Sequence, residues 1–324
     1  MKNKKLFSIS LKIIIAGIAL YFLFDQLIKK SSTEQFNLEY ILNQLYLNRF
    51  LFGLVVIMMF INWFIEIVKW KFIIKKIEDI SLLRATRAIF SGITVSTFTP
   101  NRIGEYGGRV FCLEKGDRVK GVLITIIGSI AQFLTTIIFG SIGIIIFFNI
   151  YNTDLIILEN ENLFDFLKVS LVFANILLIV LFLNSFLLSK YFSKIHFLKN
   201  YTKYTQVFSY YNTSELLKVL IYSVIRYLVF TSQFFILLNI FNLDISFFDS
   251  IVFTSILLLL ISIVPTIAIS EISIRASIAI FLFSYLTDNV VGIVSATFVL
   301  WIVNLLVPAL IGTIFIFTLK FFRK

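Results

Sequence analysis

The sequence has little of the chemistry on which most enzymes depend. It contains a single cysteine, Cys112, and a single histidine, His196. One cysteine excludes an intramolecular disulfide, and the two residues together exclude a zinc site built from several Cys and His ligands. A Ser-His-Asp triad would have to use His196, which lies in a basic segment. No P-loop is present, so direct use of ATP is not expected. We predict no catalytic residue, no metal site and no cofactor.

Acidic residues are also scarce, with 18 Asp and Glu against 29 Lys and Arg, and the net charge is +11. In a soluble protein this balance would suggest a nucleic-acid partner. Here, however, 59% of the residues are hydrophobic, whereas about 45–50% is usual in soluble domains. In membrane proteins, Lys and Arg collect in cytoplasmic loops. The charge therefore indicates membrane topology, and we predict no nucleic-acid binding.

Long apolar stretches account for most of the chain. Six are long enough to cross a bilayer: Leu6–Phe24, Phe50–Ile74, Val122–Phe148, Val169–Leu188, Leu216–Phe241 and Val290–Leu319. The Lys and Arg residues between them alternate in density, which places both termini in the cytoplasm. We predict an all-α polytopic membrane protein that forms a single integral membrane domain over residues 1–324.

Three further apolar runs are too short to span. Ala88–Phe98 would cover roughly 18 Å as a helix, and Ile251–Val264 about 21 Å, against a bilayer core of about 30 Å. Ala276–Leu286 is similarly short. Because the first two runs stop at Pro100 and Pro265, we predict two broken or re-entrant helix pairs, one opening from each face. Residues 1–150 and 168–324 would then form an inverted repeat, with the two tips meeting in the protein interior.

Two related motifs occupy these breaks. The first extends from Thr99 to Arg109 and the second from Pro265 to Arg275, and each contains Pro, a small residue, Glu and then Arg four positions later. Glu and Arg at this spacing share a helix face and can pair. Polar backbone at membrane depth must be buried in protein or line a wet cavity. The alternative is that each Glu–Arg pair only locks a broken helix.

Two more charged positions lie inside predicted spans. Arg226 is costly at mid-membrane and is expected to face protein or water, which makes it a site residue. Glu66 precedes Lys69 by one helical turn, and we interpret the two as a snorkelling ion pair at the headgroup level, with a functional role of Glu66 as the alternative. The predicted site therefore consists of residues from both motifs and one span: Pro100, Arg102, Gly104, Glu105, Arg109, Arg226, Pro265, Glu271 and Arg275.

The first motif resembles that of the lysylphosphatidylglycerol synthase/flippase transmembrane family, the membrane part of bacterial multiple-peptide-resistance proteins. That family's pattern is approximately Thr-Pro-Gly-x-x-Gly-Glu-x-x-Arg. Thr99-Pro100 and Gly104-Glu105 match it position by position. Asn101 replaces a glycine of the pattern, and Arg109 follows one residue late.

The second motif follows the same family less closely. Pro265 and Glu271 fit its pattern of a proline, a glycine-rich turn and a glutamate. Ala268 and Ser270 stand where glycines are common, so this turn departs from the family's backbone pattern.

The resemblance implies a flippase-like protein of a prokaryotic cytoplasmic membrane. Its expected partners are membrane lipids with an anionic headgroup, either a phospholipid or a polyprenyl phosphate, which it would move across the bilayer or bind. The sequence ends at Lys324, directly after the last predicted span, so we do not expect the soluble domain that performs aminoacyl transfer in the full-length enzymes.

Two other functions stay open at this point. A membrane enzyme acting on lipid-linked substrates usually needs clustered acidic residues, and the adjacent pair Glu78-Asp79 lies beside cytoplasmic lysines. An accessory subunit or scaffold for a lipid-modifying enzyme is equally compatible with the composition. A homo-oligomer is neither indicated nor excluded.

Overall fold

The structure is a computed structural model that describes residues 38–151, 161–186, 206–264 and 268–317; side chains at positions 100, 161–164 and 268–271 are not among those described. Within these ranges the chain folds into helices and contains no strand. The prediction of an all-α polytopic membrane protein is confirmed. The first predicted span, Leu6–Phe24, lies outside the described residues.

Eleven α-helices are present in the part of the chain that the structure describes. In chain order they are α1 (Leu38–Leu47), α2 (Arg49–Ile74), α3 (Leu82–Ser96), α4 (Gly104–Val110), α5 (Arg118–Ile150), α6 (Glu161–Leu183), α7 (Thr213–Ile240), α8 (Phe247–Ile263), α9 (Ala268–Phe283), α10 (Val290–Trp301) and α11 (Val307–Ile316).

Five segments of the described chain are long and apolar enough to cross a membrane. They are α2, α5, residues Asp165–Leu183 of α6, α7, and the continuous segment Val290–Ile316 that joins α10 to α11. Each overlaps one of the predicted spans. On α6, large apolar side chains such as Phe166 and Phe173 are exposed, as expected of a surface that faces lipid.

The last span is irregular near Pro308. A π-helical segment, Ile302–Leu306, lies directly before this proline. Proline lacks the N–H that would bond to the fourth residue before it, so the helix widens there. Asn304 lies within the wide turn, and its side-chain Nδ2 donates to Gln233 Oε1 at 2.8 Å.

Polar caps begin several of the helices. Ser81 caps α3, Asp117 caps α5 and Ser246 caps α8, each with a side-chain oxygen that accepts a backbone N–H of the first turn. At α7, Asn212 and Glu215 form a reciprocal capping box. Such caps are worth about 0.5–2 kcal/mol each.

The predicted break at Pro100 is present as a helical hairpin, here called the first hairpin. Helix α3 ends at Ser96, a turn at Pro100–Arg102 follows, and α4 returns against α3. At the open end, the Glu78 carboxylate accepts hydrogen bonds from the N–H groups of Glu114, Lys115 and Gly116 at 2.8–3.0 Å. The chain therefore enters and leaves this hairpin at the same end.

Those hydrogen bonds also determine the ionisation of Glu78. Partial burial by itself would raise the pKa of this carboxyl group. The three N–H donors and the Arg84 guanidinium outweigh burial and hold its pKa below the ordinary value. The charged form of Glu78 thus ties the start of the hairpin to its end.

A second hairpin is formed by α8 and α9. Helix α8 ends at Ile263 and α9 begins at Ala268, on either side of the predicted break at Pro265. The rings of Phe253 and Phe283 lie 5.7 Å apart near the opposite end of the pair, so the two helices are antiparallel. Residues 265–267 lie outside the described chain, and the predicted meeting of the two hairpin tips stays a prediction.

The two hairpins open at opposite ends of α5. Gly116, at the base of the first hairpin, immediately precedes α5, whereas Tyr151, which follows α5, donates to Asp249 at the base of the second. Basic residues gather at the first of these ends, among them Lys75, Lys76, Arg84, Arg87, Lys115 and Arg118. This arrangement has the polarity that an inverted repeat requires, and the repeat itself stays a prediction.

Candidate functional site

One carboxylate at the centre of the helix bundle holds three cations. Glu66 on α2 is 4% exposed. Its Oε1 accepts a hydrogen bond from Arg109 of α4 at 2.8 Å, and its Oε2 accepts one from Lys69 at 2.7 Å. Arg226 of α7 also donates to Oε2. We call Glu66, Lys69, Arg109, Arg226 and Glu105 the charge cluster.

Glu66 and Lys69 form the predicted ion pair, but both side chains are buried inside the protein rather than exposed to headgroups. Lys69 is only 2% exposed, and its amine also lies 3.5 Å from the Ser223 hydroxyl of α7. Both residues are on the face of α2 that packs against the rest of the protein, together with Val55, Met59 and Ile73. Their position on the buried face of the helix, rather than their distance from the end of the span, determines whether these side chains contact protein or headgroups.

The first motif places Arg109 in the charge cluster. Arg109 is buried, and its Nη2 donates to Glu105 one turn earlier, so the ion pair predicted from their spacing is present. The approach of α4 to α3 is close because Gly92 and Gly108 face each other. A Cβ atom at Gly108 would lie 2.6 Å from the Gly92 Cα atom.

The turn of the motif explains its remaining residues. The Thr99 hydroxyl accepts the N–H of Gly104 at 2.8 Å, and a Cβ atom at Gly104 would collide with that same hydroxyl. Asn101, which replaces a glycine of the family pattern, has a φ of 49°, a left-handed conformation that asparagine tolerates better than most residues. Arg102 follows with a φ of 57°.

Arg226 is held on several sides. Its Nε donates to Asn62 Oδ1 at 2.9 Å, and its Nη1 lies 3.4 Å from Gln132 Oε1. Its guanidinium also stacks over the Trp63 ring, 5.4 Å from the centroid, a cation–π contact that partly replaces water. The expectation that Arg226 faces protein holds, and the cluster joins α2, α4, α5 and α7.

The formal charges of the cluster do not cancel. Three cations meet two carboxylates, so the cluster carries one excess positive charge. In addition, Arg109 Nε is buried and has no hydrogen-bond partner among the residues that the structure describes. Charge in a site of low dielectric favours a counter-ion, and guanidinium groups match phosphate geometrically. The cluster can therefore accept an anion.

The other predicted site residues are less closely described. Pro100 and Arg102 belong to the turn of the first hairpin, and Arg275 is buried in α9. Pro265 lies outside the described residues, as does the side chain of Glu271. The binding role of all these residues stays a prediction.

The sequence offered one signal for the residues that the prediction missed. Asn62, Glu66 and Lys69 have the spacing i, i+4, i+7 within an apolar helix, and therefore lie on one face. A polar stripe on a spanning helix points into the protein. The partners Gln132 and Ser223 carry no comparable signal.

The fold and the charge cluster define the class of the protein. It is a helical integral membrane protein with a cluster of buried charged side chains beside the first hairpin. Comparison with known families identifies it further. The family described as "Lysylphosphatidylglycerol synthase TM region" matches residues 9–312, and the chain belongs to this family. No curated protein and no solved structure matches the chain.

Proposed function

We propose that this protein binds the anionic headgroup of a lipid, a phospholipid or a polyprenyl phosphate, and moves it across the cytoplasmic membrane of a prokaryote. The observation that carries the proposal is the excess positive charge of the buried cluster. A headgroup that leaves water must find replacement hydrogen-bond donors, and Arg109 and Arg226 supply them.

Glu105 is the carboxylate that a phosphate would displace. Its side chain is 25% exposed, whereas that of Glu66 is 5% exposed and has three cationic partners. A headgroup would exchange with Glu105 on Arg109 while Glu66 keeps both arginines in position. In the empty protein Glu105 compensates Arg109, which avoids the penalty of an unpaired buried charge.

The two hairpins provide a route from either leaflet. Each would enter the bilayer as a re-entrant element from its own face, with both chain termini in the cytoplasm. Broken helices at the midplane often form transporter sites, and movement of one half against the other exposes such sites alternately. Arg102, Glu271 and Arg275 would line the path on either side of the cluster.

A transport assay with vesicles of stated composition tests the proposal. The purified protein is reconstituted with fluorescent phosphatidylglycerol, and Glu105→Gln is compared with the wild type. Glutamine keeps the shape but removes the charge with which Glu105 replaces the headgroup on Arg109, so release of the headgroup should be slowed. Loss of a charge-assisted hydrogen bond is worth about 1.5–3 kcal/mol, so transport should fall roughly ten- to a hundredfold.

A matched double variant controls for charge removal in general. Asp165→Asn with Lys168→Gln removes an exposed ion pair of 3.2 Å on α6 and should leave transport unchanged. Thermal unfolding followed by tryptophan fluorescence shows whether each variant is folded.

A scaffold role is the second candidate, because the same ion pairs fasten the first hairpin to α2 and α7. If a folded Glu105→Gln, Arg109→Gln double variant transports lipid like the wild type, the cluster does not take part in translocation and the scaffold role is favoured.

A further inference from the structure

A second basic site lies at the open end of the first hairpin. A cavity of about 230 Å³ is lined there by Ser81, Arg84, Arg87, Phe111, Cys112 and Glu114. The residues come from the start of α3 and from the segment that leaves α4. None of them belongs to the charge cluster.

The arginines of this cavity differ in their pairing. Arg84 donates to Glu78 at 2.9 Å and lies 3.4 Å from Glu114. Arg87, one turn further along α3, has neither a carboxylate nor a hydrogen-bond partner among the described residues, although its Nε is buried. A guanidinium carries five donors and stays charged. Arg87 therefore presents an uncompensated cation to the cavity.

Other features of the cavity favour an anion as well. It lies at the N-terminus of α3, where the helix dipole is positive. Arg118 stacks on Phe111 at 4.9 Å and adds a further positive charge nearby. The volume is several times the ~30 Å³ of one water molecule, enough for a phosphate group.

One lining residue of the cavity is apolar and exposed. Leu83 lines the cavity, and Leu82 before it in the chain is exposed as well. Exposed leucine beside arginine is typical of the level where headgroups meet acyl chains. A phosphate held by Arg87 could thus keep its lipid chains against Leu83.

We propose that this cavity is a binding site for a phosphate group, with Arg87 as its principal ligand. The group can belong to a lipid headgroup or to free inorganic phosphate, since both present the same oxygens. This site is separate from the charge cluster, and the proposal does not depend on lipid translocation.

Cys112 supplies a native probe of the cavity. It is the only cysteine of the chain, so every labelled molecule is labelled there. Burial raises the pKa of its thiol to about 12, which makes labelling slow and easy to follow over hours. An occupied cavity should shield the thiol further.

The experiment measures maleimide labelling of the full chain in nanodiscs. One arm uses phosphatidylcholine alone, whose phosphate is neutralised by its own choline cation. The second adds anionic phosphatidylglycerol, and the third adds inorganic phosphate to phosphatidylcholine nanodiscs at constant ionic strength. In the wild type, the phosphate-bearing ligand should slow labelling at least threefold. Protection only in the second arm identifies a lipid headgroup, and protection in the third identifies free phosphate.

Three variants make the test specific to Arg87. Arg87→Gln should lose the protection, and Arg87→Lys, which keeps the charge without the bidentate fork, should lose at least half of it. Lys75→Gln removes one charge from the same end of the molecule at an exposed position and should be protected like the wild type. Each variant is compared with itself, with and without ligand, because Arg87 also influences the thiol.

Two results would overturn the proposal: no protection of the wild type by either phosphatidylglycerol or inorganic phosphate, or equal protection of Arg87→Gln and the wild type. Glu105→Gln should keep full protection even where it abolishes transport. Failure of the translocation proposal is therefore distinguishable from failure of this one.

Discussion

Glu66 is the residue on which the buried charges depend. It contacts Lys69, Arg109 and Arg226, which come from three different helices. A buried ion pair is not necessarily more stable than apolar residues in its place, but removing one partner leaves the others unpaired. Glu66 is buried and compensates three cations at once, so its removal should be strongly damaging.

We predict that Glu66→Gln destabilises the protein by about 3–5 kcal/mol, the usual penalty for breaking a buried pair. Three cations would then share only Glu105. The measurement is unfolding in detergent, followed by the fluorescence of the buried residues Trp70 and Trp301.

Glu39→Gln is the matched control for this prediction, because Glu39 is exposed on α1. Its effect should stay within about 0.5 kcal/mol. A Glu66→Gln variant as stable as the Glu39→Gln control would mean that the cluster contributes nothing to the fold.

Arg102 is the other residue whose local conformation is unusual. Its φ of 57° is in the left-handed region, where a non-glycine residue carries a penalty of roughly 1–2 kcal/mol. Together with Asn101 it makes the tight turn between α3 and α4. Strain of this kind is often found at functional sites, which agrees with a role for this tip in the proposed path.

At the scale of elements, the first hairpin depends on glycine. Helix α3 packs closely against two neighbours. It contacts α4 where Gly92 meets Gly108, and it contacts α11 at Gly312. Thr94 adds a hydrogen bond from its hydroxyl to the Ala309 carbonyl at 2.7 Å. The hairpin is therefore packed between neighbours that leave no space for side chains at these contacts.

We predict that Gly108→Ala weakens the hairpin. The new Cβ would lie 2.6–3.0 Å from backbone atoms of Ser91 and Gly92, which cannot rotate away. Overpacking of this kind typically destabilises by about 1–3 kcal/mol. Separation of α4 from α3 would also displace Arg109, so lipid transport should fall together with stability.

Gly107→Ala is the control one residue earlier on the same helix. A Cβ atom there would meet only the Phe111 ring at 3.9 Å, an ordinary contact. The change should be neutral or stabilising by up to about 1 kcal/mol, since alanine favours the helix. If Gly108→Ala unfolds at the same temperature as Gly107→Ala, the close packing of α3 and α4 is not required.

At the scale of the molecule, charge is distributed between two ends. The end with Lys75, Arg84 and Arg118 is basic, and the other end, where α7 leads into α8, carries Asp244 and Asp249. The positive-inside rule predicts that the basic end faces the cytoplasm. The described helices join these ends alternately, which agrees with several crossings of the bilayer.

We predict that single cysteines label from opposite sides of the membrane. In a Cys112→Ser background, Lys75→Cys and Lys324→Cys should react only after an impermeant reagent reaches the cytoplasm, because positive segments are retained there. Asp244→Cys should react from outside in intact cells. Outside labelling of position 75, or equal labelling of positions 75 and 244, would refute the topology.

The sequence by itself determined the class of the protein, the five spans among the described residues and the two breaks. The predicted span Phe50–Ile74 differs from α2 by one residue at its start, and helices end on both sides of Pro100 and Pro265. These features are local. An apolar run shows its length directly, and proline interrupts a helix whatever surrounds it. The pairing of Glu105 with Arg109 was equally predictable, because it needs only a four-residue helical spacing.

Only the tertiary structure decided which charges meet. Glu66 bonds to Arg109 and Arg226, which are 43 and 160 residues away along the chain. Their meeting depends on the rotation of each helix and on the glycine contact that lets α4 approach. Neither the rotation of a helix nor its closest approach to another can be deduced from one helix alone. A polar residue near the end of a span can be interfacial or buried, and only its neighbours in the fold decide which. For this reason Glu66, the centre of the cluster, was misplaced when judged from its position in the span.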